Sequence, residues 1–277
     1  MITFRELPNA FGSLIGISPK EPILDLEKYF KPRSYAIQAF TDFEAHFKLG
    51  SITIPSLQEV VTMEHFVQLH DQVDALATAR NTNTNDEYFT GLKITIGSVG
   101  DKLKLFYQTV FMDDLSKTPP MVRGTIRNLD SDFYEYDSKG FRIVKTTDVS
   151  DCQQEYQSKI GIIHIQGGQY EPFFRGTNWY NDTESVIFSF QEIYRLYQVN
   201  FQEQYGVSDY SEKLEIHNST EYRGQRPREE RYKHGLMIID HGGDPLLGFG
   251  PNPGDAANLV HMCPPSTDCE QVGYYYI

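Results

Sequence analysis

Apolar residues fall into two rhythms along the chain, and the change comes near residue 86. Before it the spacing is helical. Ala36, Phe40, Phe43 and Phe47 follow Pro32 at intervals of four, three and four, which places them on one face of a helix that Gly50 stops. Residues 1–31 ahead of it are irregular and punctuated by proline, with one helical turn at Asp25 to Phe30. Ser56 and Glu59 have the spacing of a capping box, which predicts a second helix with Val61, His65, Leu69, Val73 and Leu76 along one side. That helix frays near Asn81, where the polar tract Asn81 to Asp86 reads as a linker.

Beyond the linker the pattern alternates. Leu92, Ile94 and Ile96 share one strand face, the stretch from Gly97 to Asp101 turns the chain, and Leu103, Leu105 and Tyr107 continue on a second strand. Further strands are predicted from Met121 to Asn128, as a hairpin of Phe133 to Tyr136 with Phe141 to Lys145, and from Ile160 to Ile165 ahead of Gly167 and Gly168. A stripe of Val186, Phe190, Ile193, Tyr194, Tyr197, Phe201 and Tyr205 predicts a long helix, capped by Asp182 and ended by Gly206. Leu214 to His217, Leu236 to Ile239, Leu259 to Met262 and Gln271 to Tyr276 are the remaining strand candidates. The fold class is therefore α+β. An N-terminal helical segment, 1–86, accompanies a sheet domain, 87–277, that is mainly antiparallel and backed by the long helix at about 183–205.

Composition narrows the partners. The chain has 277 residues, 39% hydrophobic and 23% charged, enough for a sizeable core. Its net charge of −13 repels phosphate backbones, so no nucleic acid and no anionic membrane is expected as a partner. The cations Arg223, Arg226, Arg228, Arg231 and Lys233 are interleaved with Glu221, Glu229 and Glu230, which describes a solvated loop. Neither a secretory signal nor a run near the ~20 apolar residues of a membrane span is seen. With three cysteines, Cys152, Cys263 and Cys269, the expectation is a reducing, cytoplasmic setting. Aromatic residues, at 13%, are abundant and suit both thick cores and interfaces.

Candidate chemistry gathers in the run from Arg231 to Cys263. His234, Asp240, His241, Asp244 and His261 are types that hold zinc or manganese, so a divalent metal is the one cofactor the residues suggest. Asp240 and His241 are neighbours, however, and neighbours on a strand point to opposite faces unless the strand has already broken. Otherwise Asp and Gly here are simply turn formers. Ile238-Ile239-Asp240-His241-Gly242-Gly243 resembles the Asp-His-Gly metal motif of the alkaline-phosphatase superfamily, in which the Asp and His bind separate ions; that family's early Asp-ended strand and Ser or Thr nucleophile are not found. The apolar strand, Gly242-Gly243-Asp244-Pro245, Leu246-Leu247-Gly248-Phe249 and Asn258-Leu259-Val260-His261-Met262 together are similar to the strand-turn-strand signature of the SUKH immunity superfamily. Members of that family are acidic α+β proteins that bind and neutralise toxins. The likeness covers about thirty of the 277 residues, and the family's usual helix after the signature is not found. Both likenesses are local, and neither makes the chain a member.

A second candidate is the loop holding Arg175, Asn178, Trp179, Tyr180 and Asp182, which precedes the long helix and contains the chain's single Trp. Such a loop can offer free N–H groups to an anion and a stacking surface to a sugar, peptide or base, or it can simply cap the helix. Phe249 and Asn252 add binding candidates in the C-terminal run. No Gly-x-Ser-x-Gly elbow, phosphate loop or dinucleotide fingerprint is present, and Cys152 sits in a polar stretch without an evident helix or basic neighbour. The pattern points to a non-enzymatic protein-binding protein, its partner met by loops at 175–182 and 240–262. A metal-dependent hydrolase and a carbohydrate-binding protein are the alternatives.

Overall fold

A computed structural model describes residues 21–22, 30–80, 87–118, 121–129, 132–164, 167–175, 178–179, 185–198, 210–220, 233–240, 256–257, 261–263 and 273–276. From the N-terminus, strand β1 (Phe30–Lys31) leads into helix α1 (Arg33–His46), then β2 (Phe47–Leu49), β3 (Ile52–Thr53), β4 (Leu57–Thr62) and helix α2 (Met63–Arg80). A long hairpin, β5 (Phe89–Val99) and β6 (Lys102–Thr118), is followed by β7 (Met121–Asn128), β8 (Phe133–Asp137) and β9 (Gly140–Val144). Helix α3 (Thr146–Lys159) runs directly into β10 (Ile160–Ile163), and then come β11 (Tyr170–Pro172), β12 (Phe174–Arg175) and β13 (Asn178–Trp179). Strand β14 (Ser185–Ser189) enters helix α4 (Phe190–Tyr197). The chain closes with β15 (Lys213–Ser219), β16 (Gly235–Asp240), β17 (Ala256–Ala257), β18 (His261–Cys263) and β19 (Gly273–Tyr276).

These strands form an eight-stranded sheet along the path β18-β14-β5-β6-β7-β19, with β8 and β9 attached through β6. A five-stranded sheet, β1-β17-β16-β15-β4, and a four-stranded one, β11-β10-β2-β3, accompany it, and β12 and β13 pair alone. Every ladder among the described residues is antiparallel. The α+β class and its antiparallel character hold. Residues 30–80 are not helical throughout, however. Their strand β4 pairs with β15 and their β2 pairs with β10, so segments from both sides of residue 86 share two sheets. One core joins them as well, in which Phe43, Phe66 and Val73 pack with Leu92, Tyr107, Phe188 and Leu236. On the other face of β16, Met237 and Ile239 pack against Ala36, Ala39 and Phe40 of α1, which explains why that strand is apolar on both sides.

Three elements differ from the patterning. The helix expected over 183–205 is a strand at Ser185–Ser189 followed by the eight-residue α4, with residues 199–209 outside those described. Val186, Ile187 and Phe188 are all buried, so a run apolar on both strand faces imitated one turn of a helix stripe. The helix start is marked by Ser189, whose hydroxyl accepts from the Glu192 N–H while the Glu192 carboxylate accepts from the Ser189 N–H. Ser56 and Glu59, by contrast, do not cap a helix. Residues 57–62 are strand, Ser56 donates its N–H to Glu44 Oε1 at 2.7 Å, and Glu59 bonds to Tyr107 on another sheet. Finally, α3 was not anticipated. Its only buried residues are Val149 and Tyr156, too few to print an apolar stripe on a polar sequence.

Helix α3 lies against β5, and the close approach is made by Gly97. A Cβ there would sit 2.8 Å from Phe106 Cε2 and 2.9 Å from Cys152 Cβ, so only glycine lets helix and sheet meet at this spacing. Among the described residues no helix is long and apolar enough to cross a membrane.

Candidate functional site

Among the described residues singled out from sequence, His234, Asp240 and His261 stand apart. Of the expected metal ligands, His234 immediately precedes β16 and Asp240 ends it, a separation of roughly 20 Å at the ~3.3 Å rise of a strand. His261 lies on β18, opposite Ile187 in a different sheet. His241 and Asp244 fall outside the described residues, as do Tyr180, Asp182, Phe249 and Asn252. Arg175 pairs with Asn178, and Phe174 with Trp179, in the short β12–β13 pairing, and strand β12 lies beside helix α3. Asp240 is engaged by Arg33, with Nη1 3.1 Å from its Oδ1.

His234 is committed to a different task. It is fully buried, and both ring nitrogens are bonded: Nδ1 lies 2.7 Å from the Tyr156 hydroxyl and Nε2 lies 2.8 Å from Asn218 Oδ1. Asn218 Nδ2 donates to the Pro55 carbonyl, so Oδ1 must be the acceptor facing the histidine. The proton therefore sits on Nε2, and Nδ1 accepts from Tyr156. Burial pushes the imidazole pKa down to about 3, which keeps this neutral tautomer in place. The chain of bonds links α3, β15, β16 and the residues leading into β4. It is a tie between layers, and a metal there would have to displace it.

Buried carboxyls follow the same logic. The Glu59 Oε2 atom accepts from the Tyr107 hydroxyl at 2.5 Å, and burial, with a smaller push from Glu135, raises its pKa to about 7. Glu135 nearby is held between Lys104, at 2.6 Å, and Arg142, at 2.9 Å. Glu21 receives the Thr90 N–H at 2.6 Å and the Gln191 amide at 3.2 Å, and burial lifts its pKa to about 7. Burial lifts Glu192, the capping residue, to about 8. His70 packs edge-on against Phe190 and Tyr194, with ring centroids 5.0 and 5.3 Å away, and burial lowers its pKa. Its nearest charge, Asp71, is 3.5 Å off, too far for a good hydrogen bond. Cys152 lies on helix α3, and burial raises its thiol pKa, so it is poorly suited to act as a thiolate nucleophile. No group of three or more His, Cys, Asp or Glu that could hold a metal occurs among the described residues.

What the fold does assemble at its surface lies at the C-terminal end of α3. The Lys159 carbonyl accepts two hydrogen bonds, from the Gly50 N–H and from the Tyr170 hydroxyl, each at 2.7 Å. Its ammonium bonds the Gly100 carbonyl at 2.9 Å and Glu155 at 2.6 Å, and Glu155 in turn accepts from the Gly100 N–H at 3.0 Å. Two hairpin tips and one edge strand are thus fastened to one helix end. Each tip is a two-residue turn, Gly50-Ser51 and Gly100-Asp101, with positive φ at the first central position only, the backbone that glycine favours. Beside this knot Ile52, Val99 and Tyr170 are exposed by 40%, 50% and 39%, and the ladder registers set Ile52 on the Leu49 and Ile160 face of its sheet and Tyr170 on the Gly161 and Lys48 face. They are three of the seven exposed large hydrophobic residues described.

Sequence reasoning missed this place because its members are single apolar residues at turns, spread from residue 50 to residue 170. The two glycine turns were the only legible signal, and they look like any hairpin. Searches against family models, curated proteins and solved structures found no match for the chain.

Proposed function

We propose that this is a non-enzymatic interaction protein that recognises another protein through the surface around Lys159. The observation that carries the reading is the knot itself: the half-exposed Val99 stands next to a hairpin turn that the Lys159 ammonium and the Glu155 carboxylate both fasten to one helix end. Preordered apolar side chains at a surface lose little entropy on docking, which is what makes contact residues effective. Strand β12, which pairs with β13, lies beside the same helix. An acidic chain at −13 resists self-association and favours a partner of opposite sign.

The test is site-specific photo-crosslinking in native lysate. A crosslinker placed at Val99 should capture a discrete protein, whereas crosslinkers at Ile37 and Ile143, exposed on other elements, should not. Equal labelling at all three positions, or none at Val99, would remove the proposal.

A further inference from the structure

We infer that Glu21 is a proton-controlled latch, its carboxyl seated in a receptor built where strand β5 meets the start of helix α4. Strand β14 pairs with β5 from Ser185, opposite Thr95, to Ser189, opposite Gly91, and then turns into α4. That ladder stops one residue short of Thr90, and the Glu21 carboxyl occupies the next position along the β5 edge. Its Oε1 accepts from the Thr90 N–H at 2.6 Å and from the Thr90 hydroxyl at 2.5 Å. Gln191, in the first turn of α4, donates through Nε2 to Glu21 Oε2 at 3.2 Å and to the Pro22 carbonyl at 2.9 Å. Thr90 and Gln191 are buried, and Glu21 itself is only 7% exposed. Two consecutive residues are thus gripped from a strand and from a helix at once.

The surroundings make this grip depend on a proton. Among the described residues no cation pairs with Glu21. Facing it are the uncharged Thr90 and Gln191, Asp74 of α2, and Tyr194 of α4, which lies near Asp71 and Asp74 and packs on His70. Burial, the largest effect, and the like charge of Asp74 favour the neutral acid, and together they outweigh the hydrogen-bond donors, which favour the anion. The seated carboxyl therefore titrates at about 7, against 4.5 when it is released into water. A raised value in the seated form means that seating is firmest below pH 4.5 and weakens as pH rises to 7, by about tenfold per pH unit.

The test is amide hydrogen exchange of the full chain, read at Thr90 and expressed as protection relative to the intrinsic rate at each pH. Glu21 is the acceptor for this amide, so its protection reports seating directly. In the wild type, protection at Thr90 should fall by about tenfold or more between pH 5 and 7. Ile94 and Ile96, in the middle of the same strand, should stay protected throughout. Glu21→Gln, which keeps the shape and cannot ionise, should hold Thr90 protected at both pH values. Glu21→Ala should leave it unprotected at both.

Wild-type protection that does not change with pH would overturn the latch. So would a Glu21→Gln variant that loses protection as the wild type does, since the titrating group would then be another, such as His70. Thr90, Ile94 and Ile96 losing protection together would also overturn it, because the whole sheet would be opening. The comparison of wild type with Glu21→Gln decides the matter even where Glu21→Ala fails to fold.

Discussion

Helix α3 carries two regions three residues apart that treat the same kinds of group in opposite ways. At Tyr156 the hydroxyl points inward to a fully buried histidine, and every polar atom of the His234–Asn218 chain that faces it is paired. At Lys159 the backbone carbonyl and the ammonium face outward and gather turns whose apolar residues remain in contact with water. The contrast teaches that residue type does not assign a role here. His234 looked like a ligand and is a tie between layers; Val99 looked like an ordinary hairpin residue and stands, half-exposed, next to a turn fastened to a helix end.

The sharpest way to break the contrast is at the buried end. His234→Leu removes the ring that bonds the buried Tyr156 hydroxyl and Asn218 Oδ1, so it should cost about 2–5 kcal/mol in chemical denaturation. Adding Tyr156→Phe removes the hydroxyl that has lost that bond, and the double variant should recover part of the loss. A double variant no more stable than His234→Leu would show that the hydrogen bonds matter less than the packing.

Next in size is the interface that joins the two regions to the sheet. Gly97→Ala forces a Cβ against Phe106 and Cys152, and should lower stability by about 1–3 kcal/mol as the helix is pushed off β5. An unchanged midpoint would mean that α3 shifts freely, and the knot at its end could then not be rigid.

A pH series separates interior from surface more gently. Glu21, Glu59 and Glu192 have folded pKa values of about 7, 7 and 8, all above the unfolded value near 4.5. Their stabilising contribution is therefore complete below about pH 4.5 and is lost as pH rises through 7 to 8. His234 acts in the other direction, since its folded pKa of about 3 lies below 6.5; its contribution is present above 6.5 and is lost as pH falls through 3. Between pH 6.5 and 8.5 the carboxyl effect operates and the His234 effect does not, so the melting temperature should drop across that window. Glu59→Gln should flatten part of the drop, and a melting temperature that rises with pH there would contradict the assigned protonation.

The smallest stability effect should come from the exposed end. Val99→Asp is half-exposed at a turn, so its midpoint should move by no more than about 0.5 kcal/mol even while docking is lost. A large destabilisation would make Val99 a structural residue and weaken the surface reading.

Much of the sheet was legible from local patterning. The hairpins within 89–118 and 133–144 appear where period-two alternation and glycine turns place them, and the strands at 160–163, 213–219 and 235–240 where short apolar runs do, although β6 runs eleven residues past Tyr107. The start of α4 was written in Ser189 and Glu192 but was masked by the apolar run before it, and helix α3 left no stripe because it buries so little. Of the candidate site, only Gly50, Gly100 and the single exposed apolar residues beside them were visible, and nothing local relates positions 52, 99 and 170.

By itself, then, the sequence determined the α+β class, the antiparallel strands and the acidic charge, because these depend on local periodicity and on counting. The tertiary structure alone decided that strands from before and after residue 86 share sheets and a core, that His234 is locked into the interior, and that two distant hairpin turns and an edge strand meet at Lys159. Those outcomes depend on which nonlocal groups remain to satisfy a buried hydrogen bond, and a buried donor or acceptor accepts whichever partner the packing brings to it.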